Sequence, residues 1–444
     1  MPSPTFYSAL AQSILAGEPA LDLIVERTGR TLGRHWRWLR PLARRYLATF
    51  ASQTRPRRKE LIAFLQRDPG LLQASRKYGH SLRIAEWLHE PHPMRPVSAA
   101  ANWEVPLIAS AGALADWLNL TPGELDWFAD LKNLAARRGT QAVTHYHYKV
   151  LSKTSGSLRL IEAPKERLKA IQRKILNEIL ERIPTHPAVH GFRKGRSIQT
   201  FASPHVHRSV VLKMDLRDFF PSIRGPRIQA LFRTAGYPEP VADLLGGICT
   251  NAAPHNLWSK LERGFDPSLL QSARDLYASP HLPQGAPTSP ALANLCAYRV
   301  DCRLSGLAES AGAVYSRYAD DLAFSGDEQF ERCVERFSLH AAAILMEERF
   351  TVHHRKTRIM RQGVRQYLAG LVVNSHINIV RTDFDCLKAI LTNCVRHGAA
   401  SQNREDHRDF RAHLAGRISN LEHVNPSKGE RLRQLFNAIQ WSGE

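Results

Sequence analysis

The stretch AVYSRYADDLAFSG, residues 313–326, decides how this chain is read. Apolar and aromatic residues run on either side of Ala319-Asp320-Asp321, which predicts two short strands flanking a tight acidic turn, with Val314, Tyr318, Leu322 and Phe324 facing a core. Two adjacent carboxylates at such a tip repel each other. A shared divalent cation relieves that repulsion, because hard cations take oxygen ligands and cancel local negative charge. A bare Asp-Asp pair would be read more simply as a solvated turn, and a second segment upstream decides against that.

The second segment is VVLKMDLRDFFPSI, residues 210–223. Val210 to Met214 is apolar and β-prone, Asp215 follows at the strand's end, and Phe219, Phe220 and Pro221 close the run. An isolated Asp there would be a cap or turn former. Beside Asp320 and Asp321 it supplies a third carboxylate from a strand distant in sequence. Two-metal sites hold their ions roughly 3.5 to 4 Å apart and clamp the attacking and leaving oxygens of a phosphoryl displacement.

Taken together and in order, the motifs resemble those of reverse transcriptases, in the branch of bacterial retrons and group II introns. The resemblance covers about residues 110 to 440. GSLRLIEAPKERLKAIQRKIL (156–176) and HGFRKGRSI (190–198) are similar to the two fingers motifs. The Asp215 segment, LPQGAPTSPALAN (282–294) and the YADD run are similar to the palm motifs. HHRKTRI (353–359) and QYLAGLVVN (366–374), the latter resembling a primer-gripping hairpin, complete the series.

The resemblance implies an α+β right-hand polymerase of fingers, palm and thumb behind a helical N-terminal extension. Residues 1–108 form the extension, 109–205 the fingers with a helical prelude, 206–375 the palm with an insertion at about 250–280, and 376–444 a helical thumb. It implies two Mg²⁺ ions, with Mn²⁺ as a substitute, held by Asp215, Asp320, Asp321 and the Leu216 carbonyl, Asp215 and Asp320 being the principal ligands. Arg159 and Arg193 would bind a triphosphate, since guanidinium forks match phosphate oxygens. Gln284 and Gly285 would approach the nucleotide, Lys356 would stand near the pyrophosphate leaving group, and the Phe220 ring would exclude a ribose 2′-hydroxyl. Phe219 is read as core.

Two departures from the family pattern stand out. Where retron enzymes carry Asn-Ala-x-x-His ahead of the first catalytic aspartate, this chain has Phe201-Ala202-Ser203-Pro204-His205. A literal Asn251-Ala252-Ala253-Pro254-His255 falls in the insertion and is read as coincidental. Where the family has Val-Thr-Gly, this chain has Leu368-Ala369-Gly370. These bear on recognition of a cognate RNA and on priming from an internal 2′-hydroxyl.

Charge agrees with a polyanionic partner. Lys and Arg number 61 against 41 Asp and Glu, a formal net charge of +20. Such an excess destabilises a compact fold by self-repulsion and suits a polyphosphate backbone. Between Arg27 and Lys59 eleven basic residues occur with no acidic one, interleaved with Trp36, Trp38 and Tyr46. Arg34, Arg37, Arg40, Arg44 and Arg45 are the candidate RNA contacts there, with the aromatics as stacking surfaces. The run also suits an amphipathic helix with a solvated basic face and a tryptophan-anchored core face, and the two readings are compatible.

The six cysteines include no C-x-x-C pair and read as reduced, mostly buried thiols. His145 and His147 lack further spaced ligands, so a structural role is expected rather than zinc. Pro91 to Pro106 reads as a linker, and Thr121-Pro122-Gly123-Glu124 as a helix start with a capping box. No apolar stretch reaches the length that spans a bilayer, and a cytoplasmic location without a membrane partner is expected.

The expected function is RNA-directed DNA synthesis from dNTPs on a structured non-coding RNA, passing through an RNA-DNA hybrid, in antiphage defence and with an effector protein as accessory partner. The alternatives are a defence-associated polymerase with protein-primed or untemplated synthesis, and an RNA-binding scaffold that sequesters an effector.

Overall fold

The computed structural model describes residues 2–51, 56–88, 93–138, 144–153, 156–259 and 264–441. Residues 91–92 of the expected linker and 260–263 of the expected insertion lie outside these. The architecture is α+β, in two compact units: Met1–Pro184 with Phe220–Cys296, and Thr185–Phe219 with Ala297–Glu444. The segments expected to form the palm contribute to both.

The first unit begins with five helices, Pro4–Leu15, Leu21–Thr31, Leu39–Thr49, Arg58–Arg67 and Pro69–Tyr78. Leu10, Ile14, Ile24, Leu42, Leu61 and Leu65 recur at helical spacing and close one core. Trp36 and Trp38 pack against that core, which fits the anchoring reading better than free stacking surfaces. The expected linker is strapped down. Arg95 and Val97 donate their backbone N–H groups to the carbonyls of Gly236 and Thr234, at 2.8 and 3.2 Å. Thr121 caps the helix Pro122–Ala129 in a capping box with Glu124, as the sequence predicts.

An antiparallel hairpin of β1 (Tyr146–Ser152) and β2 (Leu158–Pro164) follows. The 250–280 segment lies on it: Trp258, Leu270, Ala273 and Tyr277 form a core with Leu158 and Leu160. The Asn251 run is therefore not incidental to the fold. Its side-chain amide donates to the Glu162 carboxylate at 2.8 Å and to the Tyr148 hydroxyl at 3.1 Å. His145 has Nε2 2.8 Å from the Trp127 carbonyl, a structural role.

The second unit is built on a five-stranded sheet of β3 (Val210–Arg217), β4 (Val314–Tyr318), β5 (Asp321–Gly326), β6 (Thr351–Val352) and β7 (Arg358–Arg361), with β3 between β5 and the β6/β7 edge. One correction concerns β4. Tyr315, Ser316 and Arg317 are its buried residues and Val314 is half-buried, while the half-buried Tyr318 packs against the core of Phe201, Val211 and Ala323, as expected. Leu322 and Phe324 of β5 are fully buried, as expected. A small sheet of β8 (Tyr367–Leu368), β9 (Leu371–Val372) and β10 (Asn378–Ile379) follows. Its first turn, Ala369-Gly370, has both residues at positive φ, 47° and 84°, the backbone of a two-residue hairpin. Helices Arg381–His397, Phe410–Val424 and Pro426–Asn437 then pack around Leu391, Leu414, Ile418 and Leu432.

Among the described residues no helix is long and apolar enough to cross a membrane. All six cysteines are free, but only Cys249, Cys296 and Cys394 are buried, fewer than the sequence suggests.

Candidate active site

Strand pairing brings the acidic residues of the second unit into one place. β3 and β5 run antiparallel with Met214 opposite Leu322 and Asp215 opposite Asp321. β4 and β5 are joined by the two-residue turn Ala319-Asp320, with Tyr318 opposite Asp321. Ala319 sits at φ 56°, and the Leu216 N–H donates to the Asp320 carbonyl at 2.9 Å, carrying the ladder on to the turn. Residues far apart in sequence thus become neighbours because a β-ladder has a fixed register.

The electrostatics follow from that crowding. Burial, then the charges of Asp215 and Asp321, push the Asp320 carboxyl above the ordinary aspartate range. Burial also raises Asp321, with Lys213 opposing. Two lysines supply countercharge. Lys356 Nζ lies 3.0 and 3.1 Å from the two Asp215 carboxylate oxygens, and Lys213 Nζ lies 3.1 Å from Asp321 Oδ1. Lys213 is the residue that sequence reading missed. The available signal was its spacing: two positions before Asp215 on a strand, it shares a face with it. Its ammonium also lies 5.7 Å from the centre of the Tyr367 ring, at the start of the β8–β9 hairpin.

The described residues contain no three His, Cys, Asp or Glu side chains already set at metal-holding geometry. Asp215 and Asp321 are engaged by lysine ammonium groups instead. The donor set nevertheless fits a hard divalent cation. It is all oxygen, three carboxylates and the Leu216 carbonyl, partly desolvated, and the residual carboxylate repulsion is what such an ion would relieve.

The HGFRKGRSI loop touches the same turn. A Cβ on Gly191 would stand 2.5 Å from the Ala319 nitrogen, so only glycine allows this approach. Two residues on, Arg193 Nη1 is buried with no hydrogen-bond partner among the described residues. Behind the turn, His205 is fully buried with Nδ1 2.6 Å from Ser325 Oγ and Nε2 2.7 Å from Ser316 Oγ. It ties β4 to β5. The Phe201 ring, where the family has Asn, stands 5.8 Å from the Tyr318 ring.

Other expected site residues belong to the first unit: Arg159, Phe220, Gln284 and Gly285. Glu162 organises two of them. Its N–H donates to the Gln284 carbonyl at 2.9 Å, and Gly285, at φ 136°, comes so near its carbonyl that a Cβ would stand 2.8 Å away. Its buried carboxylate lies 2.9 Å from His281 Nε2, while His281 Nδ1 faces the Ser279 carbonyl at 2.8 Å. Both ring nitrogens thus lie within hydrogen-bond distance of an oxygen, which links Glu162 to the segment ahead of Gln284. Arg159 is exposed on β2. Phe220 is half-buried, whereas Phe219 is core, its ring 5.8 Å from that of Phe350.

In the extension, Arg45 forms a two-pronged pair with Asp68 at 2.6 and 2.8 Å, and Asp68 caps the helix Pro69–Tyr78. That guanidinium is occupied by the fold. Arg40 pairs with Asp22 at 2.8 Å, Arg34 lies 4.8 Å over the Trp36 ring, and Arg37 and Arg44 are exposed.

The family model described as reverse transcriptase (RNA-dependent DNA polymerase) matches residues 151–373. The retron Mx65 reverse transcriptase of Myxococcus xanthus is 41% identical over 306 residues, 68% of this chain and 66% of that protein. The retron Mx162 reverse transcriptase of the same organism is 40% identical over 66% of this chain and 58% of that protein. The retron Ec86 reverse transcriptase of Escherichia coli is 32% identical over 52% and 64%. The chain thus spans between 58% and 66% of the length of these relatives.

Proposed function

The chain belongs to the reverse transcriptase family, of the retron type, and on that premise we propose that it is an RNA-directed DNA polymerase acting by two-metal phosphoryl transfer. One observation carries the reading: the β3–β5 register sets Asp215 opposite Asp321, with Asp320 on the adjoining turn. When bound, two Mg²⁺ ions, or Mn²⁺ in their place, would lower the pKa of a primer hydroxyl and neutralise triphosphate charge. Asp215 and Asp320, with the Leu216 carbonyl, are the principal holders and Asp321 the secondary one.

The other residues bind and orient. Arg193 offers an unpaired buried donor to the triphosphate of a dNTP, and Arg159 is exposed for the same task. Gln284 and Gly285 present a close-approach backbone turn. The half-buried Phe220 ring would meet a 2′-hydroxyl, selecting deoxynucleotides. Lys356, free to leave Asp215 because its side chain is about half exposed, can donate a proton to departing pyrophosphate. The exposed Arg34, Arg37, Arg40 and Arg44 would hold a structured non-coding RNA by its phosphates. Antiphage defence with an effector protein is the biological setting we infer from the retron relatives.

The test is primer extension with dNTPs on an RNA template in Mg²⁺, with the nucleic acid that copurifies with the chain sequenced in parallel. Asp215→Asn and Asp320→Asn should each abolish synthesis while leaving folding and RNA binding intact. Near-normal synthesis by either variant sinks the reading.

A further inference from the structure

Three residues before Asp320, Arg317 is fully buried, and so is its partner Asp301 in the helix Tyr298–Ser310. Nε and Nη2 of Arg317 donate to Oδ1 and Oδ2 of Asp301 at 2.7 Å each. The Tyr315 hydroxyl donates to the same carboxylate at 2.8 Å. The guanidinium's remaining arm reaches forward, Nη1 donating to the carbonyl of Ala319 at 3.1 Å. The backbone of Arg317 is engaged too: its N–H donates to Ala188 and its carbonyl accepts from His190, both at 2.8 Å, immediately ahead of Gly191.

A buried ion pair of this kind is poorly explained by stability. Desolvating both charges costs so much that apolar side chains of similar volume often do as well or better. What apolar residues could not do is grip a turn carbonyl. Ala319 is held at positive φ, a conformation that alanine adopts only under constraint, and it is the residue against which Gly191 packs. A rigid fork anchored at two points by Asp301 leaves one donor fixed in space, which lysine could not reproduce.

We propose that Arg317, braced by Asp301, is a positioning residue for the polymerase reaction: it fixes the Ala319-Asp320 turn and with it the place where Asp320 presents its carboxylate. The inference rests on the polymerase reading above. It adds a residue that touches no reacting atom yet sets the geometry of one that does.

Two variants of the full chain test it. Arg317→Lys keeps the buried charge but cannot span both Asp301 and the Ala319 carbonyl. The triple variant Asp301→Leu, Tyr315→Phe, Arg317→Met removes the charged cluster together, so that neither buried charge is left unpaired and only the Ala319 carbonyl loses its donor. Single-nucleotide extension on a primed RNA template, Mg²⁺ titration and thermal melting are measured beside wild type. We expect kcat to fall by about 10- to 100-fold in both, the scale of a misplaced reacting group. The Mg²⁺ midpoint should rise, with KM for dNTP and the melting temperature of the triple variant near wild type. A merely structural role would move the melting temperature and leave kcat and the Mg²⁺ midpoint alone. Wild-type kcat and Mg²⁺ midpoint in folded Arg317→Lys overturn the inference, and that variant decides the matter if the triple one does not fold. A wild-type chain that extends no primer refutes the polymerase reading itself, and the inference falls with it.

Discussion

Lys213 Nζ stands 3.1 Å from Asp321 Oδ1, with both side chains largely shielded from solvent. The ammonium therefore offsets carboxylate repulsion before any cation binds. Replacing it by methionine removes the charge and keeps the apolar stem. Lys213→Met should lower stability in EDTA by about 1.5 to 3 kcal/mol, the worth of a hydrogen bond to a charged group. Added Mg²⁺ should then raise the melting temperature more than it does in wild type, because the cation meets a less compensated cluster. An Mg²⁺-induced shift equal to that of wild type would show that Lys213 does not share the cation's role.

Gly191 offers a sharper probe of the turn. With a Cβ at this position 2.5 Å from the Ala319 nitrogen, backbone must shift, and the backbone that can shift carries Asp320. Gly191→Ala should cut kcat by about 100-fold, the cost of moving a reacting group by roughly an ångström. Far-UV circular dichroism should be unchanged, since the contact is confined to two loops. A variant with wild-type turnover would mean that the turn yields freely.

How much of this was legible in the sequence depended on whether the signal was local. The two strands around Ala319-Asp320 and the Thr121 capping box are set by neighbours within a few residues, and they are legible in the sequence. The inward face of β4 is not, because Arg317 and Ser316 are polar and their burial depends on Asp301 and His205, remote in sequence. Lys213 is passed over for the same reason: its ionic partner Asp321 lies on β5, diagonally across the ladder, and only the β3–β5 register brings the two together. The 250–280 segment reads only as an insertion of no legible function, because its apolar residues find their partners on β2, about a hundred residues earlier.

Sugar selection tests the division between the two phenylalanines. Phe220→Ala should raise ribonucleotide incorporation relative to deoxynucleotide, measured by competition on one template. Phe219→Ala should instead lower stability by about 3 to 5 kcal/mol, the usual cost of emptying a buried phenylalanine site. Unchanged sugar discrimination in Phe220→Ala would remove that ring from the nucleotide's path.

His205 gives the fold an acid-sensitive element. Burial, then the charges of Arg208 and His190, hold its pKa down to about 3. Ser316 Oγ donates to the Phe201 carbonyl, so Nε2 donates to Ser316 and Nδ1 accepts from Ser325, as a neutral ring does. The unfolded chain takes up this proton near pH 6.5 and the folded one only near 3, so the contribution is fully present above 6.5 and is lost as pH falls. The loss should run at about 1.4 kcal/mol per pH unit within that window. In denaturant titrations at several pH values, His205→Gln should show a shallower acid slope than wild type. Parallel slopes would mean that other groups govern acid unfolding.

The basic arm divides by what each guanidinium already touches. Arg34, Arg37, Arg40 and Arg44 are exposed, and the pair Arg40 makes with Asp22 lies in solvent, where such pairs contribute little. Neutralising these four to Gln should weaken RNA binding and flatten its salt dependence, each lost phosphate contact removing roughly 0.7 to 0.9 from the slope of log K against log salt. Arg45→Gln should behave differently. It breaks the two-pronged pair with Asp68, leaving a buried carboxylate that caps the helix Pro69–Tyr78 without its partner, so the melting temperature should fall while the salt slope stays put. Extension of a generic primed template should survive in the fourfold variant, because the aspartates belong to the other unit. Binding isotherms at several salt concentrations separate the cases. If the fourfold variant keeps the wild-type slope, the arm is a solvated helix face, and the phosphate contacts must be sought among the basic residues of the C-terminal helices.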